Sequence, residues 1–209
     1  MLFRSVSAFA KEIFPGVKFS GVTLAPVQAR IGNQIHKGKV DVRVGDYSSL
    51  TEPSQSFDAA FFVESICHST SKAQTLISVN RVLKNGGRLV IADGFRMKPL
   101  MSCNPFWRWL YTKVCRNYYV QDFADYHSLV DCAKSLGLSV VSSRDVSFRI
   151  APTTIHAVFL SLWCYLKNLF LGRALTGKRL DNLVACFLSH FLGLNRNLFR
   201  YYIITFQKV

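Results

Sequence analysis

The sequence predicts a single α/β domain over residues 1–209, in which a mostly parallel sheet carries helices on both faces. The chain of 209 residues is long enough for one domain with a sizeable core and too short for two. Half of its residues are hydrophobic and 18% are charged, which excludes a disordered protein. In the first half, helical and strand patterns alternate with short connections, as in a parallel sheet covered on both sides.

The first half is predicted to contain four strands separated by helices. The helical patterns cover Ser5–Phe14, a segment from Pro26, and Lys72–Leu83. The strand patterns cover Lys18–Leu24, Val40–Val44, Phe57–Val63 and Arg88–Ala92. Ligands of such sheets bind beyond the carboxyl ends of the strands, so we look for a site directly after these four segments.

The second half is predicted to be less regular and rich in apolar helices. The predicted elements, in order, are an aromatic-rich segment over Asn104–Val114, a helix over Gln121–Leu136, a strand over Leu138–Phe148, helices over Thr154–Leu171 and Leu180–Leu192, and a strand over Phe199–Gln207. We find no internal repeat and no boundary that resembles a linker, which supports a single domain.

The chain is strongly basic, with a formal net charge of +14. From Val146 onward, eight basic residues accompany one acid, Asp181, within a very apolar stretch. Basic and apolar residues together suit a membrane surface or a lipid-like substrate at least as well as a nucleic acid. A solvated basic face without a partner explains the charge equally well. We expect a membrane-surface contact through residues 150–197 and no nucleic-acid partner.

The cysteines and the most apolar segments of the chain indicate the cellular compartment in which we expect the protein. The six cysteines form no Cys-x-x-Cys pair and have no ligand spacing to the five histidines, so we expect reduced thiols and no metal site. Lys11 and Glu12 break the apolar run that a secretory signal needs. The segment Ile155–Leu171 falls short of the ~20 apolar residues of a membrane span. We expect a cytoplasmic protein that lies peripheral to a membrane.

Four motifs at the predicted strand and helix ends resemble the class I methyltransferases that use S-adenosylmethionine. They are GVTLAPVQ (Gly21–Gln28), VGDY (Val44–Tyr47), ESICH (Glu64–His68) and RVLKNGGRL (Arg81–Leu89). They are most similar to the branch of tocopherol, sterol and cyclopropane-fatty-acid methyltransferases. The resemblance implies a Rossmann-like fold and methyl transfer from S-adenosylmethionine to a small hydrophobic acceptor such as an isoprenoid, sterol or acyl chain. The alternatives are a non-catalytic or membrane-associated scaffold and an RNA methyltransferase.

The resemblance also implies a set of cofactor-binding residues. They are Gly21, Thr23, Leu24, Gln28, Asp46, Tyr47 and Val63. Thr23 and Gln28 would bond the ribose, and Leu24 would pack on the adenine. Asp46 would accept a hydrogen bond from the adenine amino group, with Tyr47 beside the ring. An ordinary strand residue explains Thr23 equally well, and a turn aspartate is the alternative interpretation of Asp46.

Glu64 and His68 are the candidate catalytic residues, because a carboxylate directly follows a buried strand and an imidazole comes four residues later. Methyl transfer depends largely on positioning, and a general base is needed only when the acceptor loses a proton. Glu64 could instead stabilise the cation that forms on an alkene acceptor. A helix-capping glutamate and a half-exposed loop histidine are the alternative interpretation.

The same resemblance implies roles for two further segments, and one motif of the family has no counterpart in the sequence. Residues 100–120 lie where the family places a substrate lid, and residues 150–197 where it inserts a helical cap before the last strand. Core packing explains both segments about as well. The family's first strand and its Gly-x-Gly loop have no counterpart in the sequence. We therefore expect two unpaired strand edges, at Lys18–Leu24 and Phe57–Val63, and a fragment with weak activity alone.

Overall fold

The computed structural model describes residues 6–36, 38–172 and 176–209. The helices are α1 (Val6–Ile13), α2 (Pro26–His36), α3 (Lys72–Val82), α4 (Pro105–Asn117), α5 (Tyr126–Ser135), α6 (Ser147–Phe170) and α7 (Lys178–Leu194). The strands are β1 (Ser20–Thr23), β2 (Asp41–Val44), β3 (Phe57–Val63), β4 (Leu83–Arg96), β5 (Ala124–Asp125), β6 (Leu138–Asp145) and β7 (Phe199–Lys208). Their order along the chain is that of an α/β protein.

Polar residues placed just before three helices explain where those helices begin. The side chain of Ser71 accepts a hydrogen bond from the backbone N–H of Gln74 at the start of α3. Asn104 and Asp125 accept equivalent bonds at the starts of α4 and α5. Each bond satisfies one of the donors that the first turn of a helix leaves free.

The strands form a mixed sheet in two pieces. β1 and β2 pair in parallel, and the second piece has the order β3-β4-β7-β6, with β5 beside β4. β3 runs parallel to β4, whereas β7 runs antiparallel to both β4 and β6. The predicted α/β fold is confirmed, and among the described strands of the second piece β7 alone runs against the others.

The two strand edges that the sequence predicts to be unpaired lie in different pieces of the sheet, β1 in the first and β3 in the second. Within the described residues, β1 pairs with β2 alone and β3 pairs with β4 alone. Phe61 and Val63 on β3 are left exposed. The ring of Tyr47, in the loop after β2, packs edge-on against Phe62 with centroids 5.5 Å apart. Side-chain packing therefore joins the β2 end of one piece to the edge strand of the other.

Two predicted helix starts are wrong, each for a local reason. The helix predicted from Gln121 begins at Tyr126, because Ala124 and Asp125 first pair with β4 as a short strand. The helix predicted from Thr154 begins at Ser147 and continues through Pro152. Proline removes a single intrahelical hydrogen bond so close to the helix start, and the turns before it are long enough to be stable.

Two clusters of buried apolar residues hold the elements together. The larger one lies against the sheet and includes Leu89, Ile91 and Phe206, all fully buried. The smaller one joins α4 and α7 to the base of β7 and includes Leu110 and Leu192. The second cluster fixes the helices of the second half over one end of the sheet. Among the described helices, none combines the length and apolar character needed to cross a bilayer.

Candidate active site

A cavity of about 540 Å³ lies between the ends of β3 and β4 and the helices of the second half. Glu64 and Asp93 face it from the sheet, and α4, α6 and α7 contribute apolar walls that include Val114, Ile155 and Leu192. An apolar cavity with a few polar groups at one end is typical of small-molecule sites. The walls come from the segments 100–120 and 150–197, for which the lid and cap roles stay predictions.

Glu64 has a strained backbone and a fixed side chain. Its φ angle of 49° lies in the left-handed region, which costs a residue other than glycine of order 1–3 kcal/mol. Its N–H donates to the carbonyl of Ala92 at 2.9 Å, and its carboxylate accepts a hydrogen bond from the Tyr201 hydroxyl at 3.2 Å. Ser65, not Glu64, is the N-cap of the following 3₁₀-helix, so the capping interpretation of Glu64 is wrong.

Tyr201 is a residue of this site that the sequence did not indicate. Its hydroxyl lies 3.2 Å from the carboxylate of Glu64 and 3.2 Å from the carbonyl oxygen of Ala92. Burial, and then the charge of Glu64, raise the pKa of Tyr201 far above its usual value. The phenol therefore stays protonated and donates to the carboxylate at any physiological pH.

Asp93 and His68 complete the polar end of the cavity. Asp93 is buried and accepts hydrogen bonds from the N–H groups of Cys67, at 3.1 Å, and Gly94, at 2.8 Å. Burial raises the pKa of Asp93 above that of a free carboxyl. His68 is exposed at the end of the 3₁₀-helix Ile66–His68 and also lines the cavity. The fold thus brings both predicted catalytic residues to one cavity, and their roles stay predictions.

The helices and the residues beside them contribute further polar groups to the cavity. Nδ1 of His190, on α7, lies 3.4 Å from the hydroxyl of Thr154 on α6. The hydroxyls of Tyr118 and Ser189 are 3.3 Å apart. All four residues line the cavity. No residue near His190 in the sequence is a candidate partner, so the sequence alone favours a structural or surface role for it. Its neighbour in the fold comes from a different helix, α6.

The predicted ribose and adenine contacts cluster at the end of β1. The Thr23 hydroxyl donates to Oε1 of Gln28 at 2.8 Å, and the N–H of Ala25 donates to the same hydroxyl at 3.2 Å. Leu24 is 64% exposed beside them. A Cβ at Gly21 would make ordinary contact with Val42, 3.6 Å away, so the described residues impose no need for glycine there. The predicted pair Thr23 and Gln28 is therefore in contact, next to an uncovered apolar side chain.

Asp46, Tyr47 and Val63 lie at the ends of β2 and β3. Oδ1 of Asp46 accepts hydrogen bonds from the N–H and the hydroxyl of Ser48, which lower the pKa of this carboxyl. These are the bonds of the turn aspartate that was the alternative interpretation. The hydroxyl of Tyr47 donates to the carbonyl of Ser65 at 3.0 Å, and burial raises the pKa of Tyr47 to about 12. Val63 is exposed at the end of β3.

Asp145 contacts both the start of α6 and the segment that follows α7. It accepts a hydrogen bond from the N–H of Ser147 at 3.0 Å, where α6 begins, and contacts the guanidinium groups of Arg196 and Arg200 near β7. Burial alone would raise the pKa of Asp145, but the bonds from Ser147 and Arg196 lower it overall. This carboxylate thus links α6 to the segment that follows α7.

We expect Asp145→Asn to reduce the acid sensitivity of the fold. The folded-state pKa of Asp145 lies below the unfolded value, so its contribution is complete above about pH 4 and disappears as the pH falls through the folded pKa. Because the group is partly solvated, the change should stay below about 1 kcal/mol. Urea unfolding between pH 3 and pH 7 measures it. The conclusion fails if the variant and the parent lose stability in parallel below pH 4.

The described residues contain no group of three or more His, Cys, Asp or Glu side chains that could hold a metal ion. All six cysteines are free thiols.

The chain matches a known domain family and several known proteins. Residues 5–91 match the model of a methyltransferase domain. A probable chloroplastic tocopherol O-methyltransferase of Oryza sativa subsp. japonica is 31% identical over 145 residues, which cover 66% of this chain and 40% of that protein. A demethylmenaquinone methyltransferase of Lactiplantibacillus plantarum is 32% identical over 113 residues, 51% of this chain and 47% of that protein. The chain thus spans less than half the length of both relatives.

A solved structure supports the same fold over nearly the whole chain. Geranyl diphosphate C-methyltransferase from Streptomyces coelicolor A3(2), in complex with Mg²⁺, geranyl diphosphate and S-adenosyl-L-homocysteine, superposes with a TM-score of 0.69. The match has 19% sequence identity and covers 96% of this chain and 66% of that protein, and at this identity it speaks to the fold alone. The domain match and the relatives bear out the predicted resemblance to methyltransferases over residues 5–91, and the chain has the fold of a solved methyltransferase.

Proposed function

We propose that the protein transfers a methyl group from S-adenosylmethionine to a small hydrophobic acceptor held in the 540 Å³ cavity. The observation that carries this proposal is the Glu64–Tyr201 pair. It lies at the end of β3 and lines the cavity together with the apolar walls of α4, α6 and α7. Relatives named for tocopherol and for 2-methyl-6-phytyl-1,4-hydroquinone support a lipid-like acceptor.

The residues at the strand ends fit the groups of the cofactor. Thr23 and Gln28 present adjacent polar groups that would bond the ribose hydroxyls. Leu24 and Val63 expose apolar surface on which the adenine would pack. The carboxylate of Asp46, exposed and kept ionised by Ser48, would accept from the adenine amino group. When bound, S-adenosylmethionine supplies an electrophilic methyl group on a sulfonium.

The chain's own residues would position the acceptor and remove its proton. An acceptor bound against the apolar walls would displace water from the cavity, which would strengthen electrostatic interactions inside it. For an acceptor with a hydroxyl, the Glu64 carboxylate would take the proton as the oxygen gains the methyl group. Tyr201 would hold that carboxylate in place through its hydrogen bond. The buried Asp93 would hold the backbone of Cys67 and Gly94 in position, because both of its oxygens accept hydrogen bonds from their N–H groups.

Calorimetric titration of S-adenosylmethionine tests the cofactor assignment. We expect the parent chain to bind, and Gln28→Leu to weaken the affinity about tenfold through loss of roughly one hydrogen bond to the ribose. Gln34→Leu is a matched control, since Gln34 is also exposed on α2 but six residues further from the strand end. Absence of binding by the parent chain would refute the assignment, and equal weakening by both variants would refute the role of Gln28.

We also propose that residues 150–197 contact a membrane surface, so that a hydrophobic acceptor enters the cavity from lipid. The support is the position of this segment. Ile150, Ala151, Thr154 and Ile155 of α6 line the cavity, and most of the remaining residues of the same helix are exposed. Vesicle binding that requires this segment is the expected result.

A further inference from the structure

Helix α6 is packed with its small side chains inward and its large apolar side chains outward. Ser161, which is polar, is the buried residue of this helix. By contrast, Phe159 and Trp163 are each 66% exposed, and Phe170 is 94% exposed. An ordinary surface helix shows the opposite arrangement, with its apolar stripe facing the core. This helix therefore presents an apolar surface that nothing in the described part of the chain covers.

Six large exposed side chains of α6 form one continuous stripe, which we name the α6 strip, and Leu160, Tyr165 and Leu169 are exposed outside it. It consists of Ile155, Phe159, Leu162, Trp163, Leu166 and Phe170. Their spacing of three or four residues places them on one face of the helix. Contiguous exposed apolar patches of this kind mark a contact with a protein or a membrane.

The charges around the α6 strip are basic. Helix α6 contains Arg149 and Lys167 and no acidic residue. Near its C-terminal end, α7 begins with the exposed residues Lys178 and Arg179. The acid of this region, Asp181, accepts a hydrogen bond from the Tyr119 hydroxyl at 2.6 Å. An apolar stripe with an aromatic residue at its centre and cations at its end matches the interface of an anionic bilayer.

We infer that the α6 strip docks on the surface of an anionic bilayer, with the helix axis lying along the interface. Two copies of the chain joined through α6 would bring their basic residues together, which disfavours a dimer through the same face. Ile155 belongs both to the strip and to the wall of the cavity. A lipophilic acceptor can therefore pass from the bilayer to the cavity without crossing water, a consequence that rests on the proposed function.

Vesicle co-sedimentation with a matched pair of variants tests the docking. Leu166, on the strip, and Ile77, on α3 and away from the cavity, are 49% and 45% exposed. We expect the parent to bind vesicles of equal parts phosphatidylserine and phosphatidylcholine, and to bind pure phosphatidylcholine more weakly. Leu166→Glu should lower the partition coefficient roughly tenfold or more, because it removes an apolar anchor and adds a charge. Ile77→Glu makes the same change in charge and should bind like the parent.

Two further measurements separate a loss of membrane docking from a loss of cofactor binding. Trp163 lies within the strip, so docking should shift tryptophan emission to shorter wavelength in the parent and in Ile77→Glu. Calorimetry with S-adenosylmethionine should give the same affinity for Leu166→Glu and the parent, so loss of docking is separable from loss of cofactor binding. Equal partitioning of both variants would overturn the inference. A dimer that Leu166→Glu dissociates, without vesicle binding by the parent, would also overturn it.

Discussion

Glu64→Gln is expected to lower the turnover of a hydroxyl-bearing acceptor by about 10²- to 10⁴-fold, the usual contribution of a positioned general base. Glutamine keeps the size of the side chain and can still accept the hydrogen bond from Tyr201, 3.2 Å away. It cannot take up a proton. Initial rates over a series of acceptor concentrations measure the effect, which should fall on kcat with little change in KM.

Tyr201→Phe provides the companion measurement. It leaves the carboxylate intact and removes the donor that holds it, so we expect a loss in kcat of roughly tenfold, corresponding to about one hydrogen bond. Calorimetry with S-adenosylmethionine should show unchanged affinity for both variants. Full turnover by Glu64→Gln with intact cofactor binding would contradict the role of base and would favour a purely structural glutamate.

Gly94→Ala is expected to destabilise the fold by about 1–3 kcal/mol and to narrow the cavity. A Cβ at this position would lie 2.3 Å from the ring of Phe199, closer than any ordinary contact. That ring is already packed edge-on against Phe123, with centroids 4.9 Å apart. It can yield only by moving into the cavity, whose wall it forms with Gly94. Urea unfolding measures the stability, and the change in KM between short and long acceptors measures the lost volume.

Two controls separate this steric effect from a general effect of added methyl groups. Gly94→Ala combined with Phe199→Leu should recover part of the stability, because leucine lacks the ring atom nearest to the new methyl group. Gly16→Ala adds a methyl group where no atom lies within 4 Å and should be close to neutral. A double variant no more stable than Gly94→Ala would show that the clash with Phe199 is not the cause.

The first half of the fold follows from local patterns, which is why its strands could be predicted. Phe57–Val63 is observed with the predicted bounds, but its apolar run predicts a buried strand, whereas within the described residues it is an edge strand with most of its residues exposed. Glu64 was found by the rule that ligands bind beyond the carboxyl ends of the strands. Asp93 could have been found by it too, since it directly follows the predicted strand Arg88–Ala92. Strand ends are thus a signal that a single sequence carries.

The rest of the site depends on contacts that no local pattern encodes. Tyr201 meets Glu64 across 137 residues of chain, from a strand that runs antiparallel to β4. His190 meets Thr154 through the packing of α7 on α6. Pro152 indicates a helix boundary in the sequence, whereas α6 begins at Ser147, beside Asp145, whose carboxylate contacts Arg196 and Arg200 about 50 residues further along the chain. Long-range pairing decides these features.

Because the backbone of Glu64 is left-handed, the stability of the fold and the proposed chemistry favour different residues at this position. Selection for folding alone would favour glycine at residue 64, which adopts this conformation without strain. The proposed role of general base in methyl transfer requires a carboxylate there. A search for thermostable variants that screened folding and ignored turnover would therefore tend to remove the glutamate first.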